Sequence, residues 1–240
     1  DYVHAPFACP FYTLIEQFDV FLLNWHSIGN LRSQLYQHDM YETDLKQTYE
    51  FWRTVAKRYG ANPTVAFYEL FNEPTTYRGQ LGTCSWEQWA EIMEEIIGIV
   101  RANGGEGIPL VAGFNWAYDL TPVRERPIQA EGIAYVSHPY PQKRPKPWTE
   151  QWTQDWGFVK ETYPIILTEI GFAGEEEKGA HVPVISDESY GEAITDYCAE
   201  RDISYVVWVF DPRWAPGLFS DWDYTLTRHG KFFKAKMQQK

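Results

Sequence analysis

The sequence FYELFNEP, at residues 67–74, joins an apolar strand pattern to a polar ending. Its first five residues are mostly aromatic or leucine, which favours a buried strand. Asn72 and Glu73 then follow, and Pro74 is expected to end the hydrogen-bond ladder because it has no N–H donor. Functional side chains gather where buried parallel strands end. The stretch therefore predicts a site at the carboxyl end of a parallel sheet.

Strand-like and helix-like segments alternate along the rest of the chain. Ser85 and Ser186 occupy positions typical of helix N-caps. Apolar strands that alternate with helices indicate a parallel sheet covered on both faces or closed into a barrel. We therefore expect a single α/β catalytic domain over residues 1–240, with a segment of unclear role at 1–17. The strands are predicted at 19–26, 64–74, 108–116, 132–140, 164–172 and 203–211, and the helices at 41–60, 85–105, 122–130, 148–162, 186–202 and 227–239.

Composition narrows the class of partner. The net charge of −12 argues against nucleic acid and against an anionic membrane, and suits a neutral substrate. No apolar run reaches the roughly 18 residues of a membrane span, and the first residues show no signal-peptide pattern. Aromatic residues make up 17% of the chain, with 11 Trp and 16 Tyr. Aromatic planes can bind the apolar faces of sugar rings, although a large core also uses them.

Cofactor and metal signatures are not found in the sequence. No Gly-rich dinucleotide or phosphate loop follows a predicted strand, and no HxH or HExxH motif occurs. Cys9, Cys84 and Cys198 have no metal-ligand spacing. We expect the cysteines to be buried as small apolar side chains, with at most one disulfide. These absences argue against a nucleotide-binding sheet and against a metal site, while His26, His138 and the carboxylates leave phosphate or metal chemistry as an alternative.

Polar or aromatic residues end nearly every predicted strand. If the sheet is a barrel, these residues converge at its mouth, where (β/α) barrels carry their sites. Each one alone also has a structural explanation, such as a helix cap, a buried histidine or a core tryptophan. Their common placement is what predicts a site. The residues are His26, Asn72, Glu73, Trp116, His138, Tyr140, Glu169 and Trp208.

Two of these strand ends carry carboxylates, Glu73 and Glu169. In a glycosidase one carboxylic acid protonates the leaving oxygen, and the other carboxylate attacks the anomeric carbon or activates a water. A third acidic group, Glu69, lies four residues before Glu73 and should point to the same side of the strand. A buried carboxylate there needs a hydrogen-bonding partner, and no Lys or Arg occurs in the six predicted strands.

The motifs NWH (24–26), LFNEP (70–74), HPY (138–140) and LTEIGF (167–172) together resemble glycoside hydrolase family 5, the cellulase family. The segment FSDWDYTLTRHGKFFK (219–234) resembles the loop and helix that follow strand eight in that family. The resemblance runs from about residue 18 to the end. It implies a TIM-type (β/α) barrel whose acid/base and nucleophile lie on strands four and seven. Six strands are predicted here, so the first two βα units of the barrel are expected to be missing.

The resemblance also assigns roles to individual residues. Glu73 corresponds to the general acid/base and Glu169 to the nucleophile. Polar residues beside them would bind the sugar of the −1 subsite or order the nucleophile, and tryptophans would stack on sugar rings. These substrate-binding residues are Asn72 at the 2-hydroxyl, His26 at the same sugar, His138 and Tyr140 beside the nucleophile, and Trp208 as the stacking floor. Independently of the resemblance, four tryptophans in or near loops after strands are candidates either for further subsites or for packing between loops: Trp116, Trp148, Trp214 and Trp222. We favour Trp116 and Trp214 as subsite residues.

The implied activity is that of a retaining endo-β-1,4-glucanase, with a polysaccharide or oligosaccharide as substrate and with neither a metal nor an organic cofactor. A β-mannan or a mixed-linkage glucan is a close alternative substrate. A carbohydrate-binding protein or fragment with impaired catalysis is the other alternative, because no residue matches the family's strand-two arginine. A polymeric substrate suggests secretion, and open sheet edges suggest a homo-oligomer.

Overall fold

The computed structural model describes residues 20–33, 35–36, 43–75 and 82–238. They fall into two compact units. Unit 1 contains the described residues up to Trp116 together with Pro122–Ala134, and unit 2 contains Ala117–Thr121 and the residues from Tyr135 onward. The segment 1–17 and Cys9 lie outside the described residues. The prediction of one domain over residues 1–240 stays a prediction.

Unit 1 is built on three parallel strands and a small second sheet. In the larger sheet β4 lies between β1 and β6 and is parallel to both. In the smaller sheet β2 lies between β3 and β5, antiparallel to β3 and parallel to β5. The strands are β1 (Phe21–Asn24), β2 (Ile28–Asn30), β3 (Leu35–Tyr36), β4 (Val65–Glu69), β5 (Glu73–Pro74) and β6 (Ile108–Ala112).

Two helices of unit 1 begin with capping boxes. Helix α1 (Leu45–Tyr59) begins after Asp44, whose carboxylate accepts the Gln47 N–H, and α2 (Trp86–Ala102) begins after Ser85. In each box the side chain of the third helical residue accepts the N–H of the cap residue, so two otherwise unpaired donors are satisfied. The predicted Ser85 cap is confirmed. The first two residues of the predicted helix at 41–60 lie outside the described residues.

A buried tryptophan from each helix joins it to the larger sheet of unit 1. The Trp52 indole N–H donates to the Leu70 carbonyl at 3.0 Å, and that of Trp89 donates to the Ala112 carbonyl at 3.0 Å. Both side chains are fully buried. A buried indole N–H needs an acceptor, and here the acceptors are carbonyls at the ends of β4 and β6. The carboxyl ends of these strands are therefore fixed by the helices that cover them.

Unit 2 contains the other three parallel strands, with β8 between β7 and β9. The predicted helix at 148–162 forms α3 (Thr149–Asp155) and then a 3₁₀ helix at Gly157–Glu161. The helix predicted at 122–130 shrinks to a 3₁₀ turn at Thr121–Arg124, whose last three residues belong to unit 1. A further 3₁₀ turn covers Pro141–Lys143. The other elements are β7 (Ala134–Val136), α3 (Thr149–Asp155), β8 (Ile165–Ile170), α4 (Glu188–Arg201), β9 (Ser204–Val207) and α5 (Arg228–Gln238).

The predicted cap of the fourth α-helix is wrong by one residue. Asp187, not Ser186, is the N-cap of α4, and its carboxylate accepts the Ser189 N–H at 2.9 Å. A carboxylate is favoured at this end because the helix dipole is positive there. The hydrogen bond of Ser189 lowers the pKa of Asp187 below its usual value.

The interior of unit 2 is rich in aromatic residues. Trp148 and Trp152 stack with ring centroids 5.8 Å apart, and Tyr197 meets Trp152 edge-on at 5.5 Å. The Trp148 indole donates to the Pro141 and Arg144 carbonyls, so this tryptophan packs between loops. Part of the high aromatic content is therefore core rather than binding surface.

Cys84 and Cys198 carry free thiols and are buried, as predicted. Burial raises the pKa of Cys84 to about 11 and that of Cys198 to about 12. Both thiols are therefore protonated near neutral pH and behave as small apolar groups. Within the described residues, no helix combines the length and the apolar character needed to cross a membrane.

Candidate active site

Glu73 lies on a strand rather than in a loop. Its N–H donates to the Ser27 carbonyl at 3.0 Å, and the Thr75 N–H donates to the Gly29 carbonyl at 2.9 Å. The expectation that Pro74 ends the ladder is wrong. In a parallel pair only alternate residues donate toward a given neighbour, so Pro74 occupies a position whose N–H is not required by β2. The backbone of the predicted acid/base is thus fixed on both sides.

Asn72 lies beside Glu73 and is buried. Its N–H donates to the Trp25 carbonyl at 3.2 Å, and its side-chain oxygen accepts from the Asn24 amide at 2.7 Å. The same Asn24 amide nitrogen donates to Glu69 Oε2 at 2.8 Å. Glu69 is only 1% exposed and stands opposite Asn24 in the register of β1 and β4. The amide of Asn24 therefore supplies one of the hydrogen bonds that the buried Glu69 carboxylate needs.

Sequence reasoning did not select Asn24 as a site residue. The available signal was a polar residue at the end of the apolar strand FLLN, three residues after its start at Phe21. Its importance depends on Glu69, which lies 45 positions along the chain. Without the register of β1 on β4 the two could not be paired.

Asn24→Leu is expected to lower the free energy of unfolding by about 1–3 kcal/mol, because it leaves buried acceptors on Glu69 and Asn72 without this donor. Urea denaturation of the parent, Asn24→Leu, Glu69→Gln and the double variant measures the coupling. The loss caused by Asn24→Leu should be smaller when Glu69 is already glutamine. Losses that simply add would contradict the pairing.

His26 lies between anchored residues at the end of β1. The Ser27 N–H donates to the Trp25 carbonyl at 2.7 Å, and the Trp25 indole donates to Thr48 Oγ1 at 3.1 Å. Trp25 also stacks on Phe51, with ring centroids 4.2 Å apart. The His26 side chain itself is half-buried. Its predicted contact with a sugar stays a prediction.

Trp116 follows β6 in an unusual backbone conformation. The predicted strand at 108–116 ends at Ala112, and Asn115, Trp116 and Ala117 have φ values of 59°, 54° and 56°. The left-handed conformation costs a non-glycine residue about 1–2 kcal/mol. Three such residues in succession are found where the surrounding structure imposes them, which is frequent at functional sites. The Trp116 backbone therefore lies in a constrained turn, and its side chain is half-buried.

Glu169 is the best-defined part of the candidate site in unit 2. It lies in β8, is 5% exposed, and its Oε2 accepts the Tyr140 hydroxyl at 2.8 Å. His138 Nδ1 lies 3.7 Å from the same oxygen, and His138 Nε2 is 2.9 Å from Thr168 Oγ1. The structure thus brings together three predicted residues, Tyr140, His138 and Glu169. Thr168, which orients the imidazole, was not predicted.

The remaining predicted tryptophans of unit 2 follow β9. The Trp208 N–H donates to the Ile170 carbonyl at 2.9 Å, so Trp208 is tied to the end of β8 although β9 ends at Val207. The peptide bond between Trp208 and Val209 is cis. Trp214 is 41% exposed. An exposed indole is available for stacking, but its contact with substrate stays a prediction.

His229 is a buried histidine beside Trp208. It is fully buried, its Nε2 lies 2.7 Å from the Trp208 carbonyl oxygen, and its Nδ1 lies 3.4 Å from the Phe172 amide nitrogen. Burial lowers the pKa of His229 to about 4, against the opposing effect of the Trp208 carbonyl. The imidazole is therefore neutral in the folded protein at neutral and mildly acid pH.

His229 should make the protein less stable in acid. Above pH 6.5 it is neutral in both states; as pH falls toward 4, the unfolded chain takes up a proton that the folded protein excludes. The lowered pKa therefore costs about 3 kcal/mol of stability by pH 4, since one pKa unit is about 1.4 kcal/mol. Urea denaturation of parent and His229→Gln between pH 7.5 and 4 tests this. The difference in unfolding free energy between the two should change with pH; a constant difference would contradict the assignment.

Solved structures resemble this chain over most of its length. The native β-glucanase SdGluc5_26A from Saccharophagus degradans is 49% identical, with a TM-score of 0.88 over 91% of this chain and 67% of that one. The complex of that protein with cellotetraose gives 48% identity and the same TM-score and coverage. The predicted fold class is confirmed. It is the TIM-type (β/α) barrel, to which the described residues contribute six parallel strands.

A curated relative matches over a shorter region. Endoglucanase A from Butyrivibrio fibrisolvens is 26% identical over 119 residues, which are 50% of this chain and 24% of that protein. The match thus spans about a quarter of the relative's length. The family model for cellulase, glycosyl hydrolase family 5, matches residues 16–213. The chain belongs to glycosyl hydrolase family 5, the cellulase family, and the predicted family is confirmed.

Proposed function

We propose that this chain is a retaining endo-β-1,4-glucanase. The observation that carries the proposal is its 49% identity with a β-glucanase over 91% of its own length. The name of the matched relative, endoglucanase A, supports the same activity. The two carboxylates that a glycosidase requires are present as Glu73 on β5 and Glu169 on β8.

In the first step of the proposed reaction Glu169 is ionised and Glu73 carries a proton. Tyr140 donates to Oε2 of Glu169, which favours the charged form of the carboxylate and fixes its orientation. The Oε1 atom of Glu169 attacks the anomeric carbon, and the bond from that carbon to the glycosidic oxygen breaks. Glu73 gives its proton to that oxygen, so the leaving chain departs as an alcohol and a covalent glycosyl-enzyme remains.

In the second step a water molecule attacks the same anomeric carbon. Glu73, now ionised, takes a proton from the water, and the ester bond to Glu169 breaks. Both carboxyl groups return to their starting states. Two inversions at one carbon give net retention of configuration. The proposal requires Glu73 and Glu169 to act on opposite faces of one sugar ring.

The other predicted residues would bind the substrate. Asn72 is held by Asn24 and would donate to the 2-hydroxyl of the sugar next to the cleaved bond, with His26 at the same sugar. His138 and Tyr140 would order Glu169. Aromatic rings would stack on sugars, with Trp208 as the floor of the −1 subsite and with Trp116 and Trp214 in further subsites.

We propose β-1,4-glucan as the substrate, because the Saccharophagus relative binds cellotetraose. The test is reducing-sugar release from carboxymethyl cellulose, mixed-linkage β-glucan and galactomannan, with product anomers followed by NMR. Release from the cellulose derivative with initial β-anomer supports the proposal. Preference for one of the other polymers would identify the mixed-linkage or mannan activity instead. If the folded parent migrates more slowly in a gel that contains glucan but releases no sugar, the chain is the carbohydrate-binding protein with impaired catalysis.

Two further properties are proposed. The protein acts outside the cell, because a polysaccharide is too large to enter a cell. Detection of the protein in the culture medium of the source organism tests this.

Copies of the chain associate through open sheet edges, and within unit 2 β9 is at the edge of the sheet with Val206 43% exposed. Sedimentation velocity measures the association directly.

A further inference from the structure

His229 connects two parts of unit 2 that lie far apart in sequence. It is the second residue of α5, and its ring reaches both the Trp208 carbonyl and the Phe172 amide. Phe172 lies three residues after Glu169 on the chain that continues β8. Trp208 lies one residue after β9. The ring therefore bridges the segment that carries the proposed nucleophile and the proposed sugar-stacking residue.

The hydrogen-bond partners determine the tautomer of His229. A backbone amide only donates, so Nδ1 must accept from Phe172. A carbonyl only accepts, so Nε2 must carry the proton and donate to Trp208. One neutral imidazole satisfies both groups. The ring thus acts as a fixed spacer between a donor on one segment and an acceptor on the other.

Packing holds the ring in one orientation. Phe172 meets it edge-on at 5.3 Å and Phe233 at 4.9 Å between ring centroids. A Cβ atom at Gly171 would lie 2.6 Å from Pro216 Cγ, 2.9 Å from His229 Cε1 and 3.1 Å from the Trp208 carbonyl oxygen. The glycine of the LTEIGF motif is therefore required by the close approach of Pro216, His229 and Trp208.

We propose that His229 is a positioning residue that sets Trp208 relative to Glu169. This inference rests on the proposed function, because it gives Trp208 a place beneath the substrate. The backbone of Trp208 is fixed at both of its polar groups, with the N–H on Ile170 and the carbonyl on His229. The His229 bond reaches Trp208 from α5, outside the strands of the sheet. Loss of that bond releases the Trp208 carbonyl from α5 and lets the residue shift, and a displacement of about 1 Å at a reacting centre costs about 10²-fold in rate.

Three substitutions separate the two hydrogen bonds of the ring. His229→Gln places an amide near the position of Nε2 and can still donate to Trp208. His229→Asn places its oxygen near Nδ1, so it can accept from Phe172 but does not reach Trp208. His229→Phe fills the space and makes neither bond. Thr195→Val is the matched control, because it removes another buried hydrogen bond of unit 2, from Thr195 to the Gly191 carbonyl in α4.

The experiment has two readouts on the same proteins. The first is kcat and KM for hydrolysis of a β-glucan oligosaccharide, corrected for folded fraction by thermal denaturation. The second is ¹⁹F NMR with 5-fluorotryptophan, in which Trp208→Phe identifies the Trp208 resonance and the exposed Trp222 is the internal reference. The ¹⁹F readout reports the position of Trp208 whether or not the protein hydrolyses glucan.

The expected result is a loss of kcat/KM of about 10²-fold in His229→Asn and His229→Phe, with a shifted or broadened Trp208 resonance. His229→Gln should retain most of the parental kcat/KM and a Trp208 resonance near its parental position. Thr195→Val should change neither the kcat/KM nor the resonance. Parental kcat/KM and an unshifted resonance in His229→Phe would overturn the inference, as would equal defects in the Gln and Phe variants. If the parent releases no sugar, the proposed function fails, and the ¹⁹F spectra alone decide whether His229 positions Trp208.

Discussion

Glu169→Gln is expected to reduce kcat on β-glucan by about 10⁴-fold or more, the size of loss seen when a residue that acts as part of a catalytic unit is removed. A neutral amide cannot form the glycosyl ester, so the first step of the double displacement is blocked. The substitution is nearly isosteric. The amide oxygen can still accept from Tyr140, so the fold around β8 should persist.

The measurement is reducing-sugar release together with circular dichroism and thermal denaturation. Glu161→Gln is a suitable control, because Glu161 is an exposed glutamate on the same unit. The control should retain parental activity. A Glu169→Gln protein that is folded and hydrolyses glucan within tenfold of the parent would exclude Glu169 as the nucleophile.

Glu73→Gln is expected to slow glucan hydrolysis by about 10²–10⁴-fold, the usual contribution of a general acid or base. The loss should depend on the leaving group. A sugar alcohol is a poor leaving group and needs the proton, whereas 2,4-dinitrophenolate leaves without one. Formation of the glycosyl-enzyme from a 2,4-dinitrophenyl cellobioside should therefore be much less affected than glucan hydrolysis.

Pre-steady-state release of dinitrophenol separates the two steps of that reaction. A rapid burst followed by slow turnover is expected, because the second step still lacks its base. Glu106→Gln, at an exposed glutamate of unit 1, is the control. Its time course of dinitrophenol release should match that of the parent. Equal losses on the activated substrate and on glucan would show that Glu73 is not the proton donor.

The alternation of strands and helices was predictable because it depends on local patterns. Ser85 illustrates this, since its capping box requires only the nearby Gln88. The pairing of β5 with β2 was not predictable, because strands of two and three residues leave almost no pattern. The left-handed turn at Asn115–Ala117 was also missed, since none of its residues is the glycine that usually marks such a turn.

The candidate site also contains residues that a local pattern predicts and residues that depend on a distant partner. Glu73 and Glu169 were predictable because a carboxylate at the end of an apolar strand stands out in sequence. Asn24 and His229 were not, because each acquires its role from a partner that lies 21 or more positions away. A polar residue in a strand and a histidine near a helix start are both common without such partners. Only the register of the strands and the path of the chain identify them.

The pairing of β5 with β2 has a consequence for the cost of substrate binding. Residues in flexible loops lose backbone entropy when a ligand orders them, at about 1–2 kcal/mol per residue. Glu73 is already ordered by the Ser27 carbonyl before any sugar arrives. Binding energy from the polysaccharide is therefore not needed to order the backbone that carries this carboxyl group, and remains available for distorting the sugar toward its transition state.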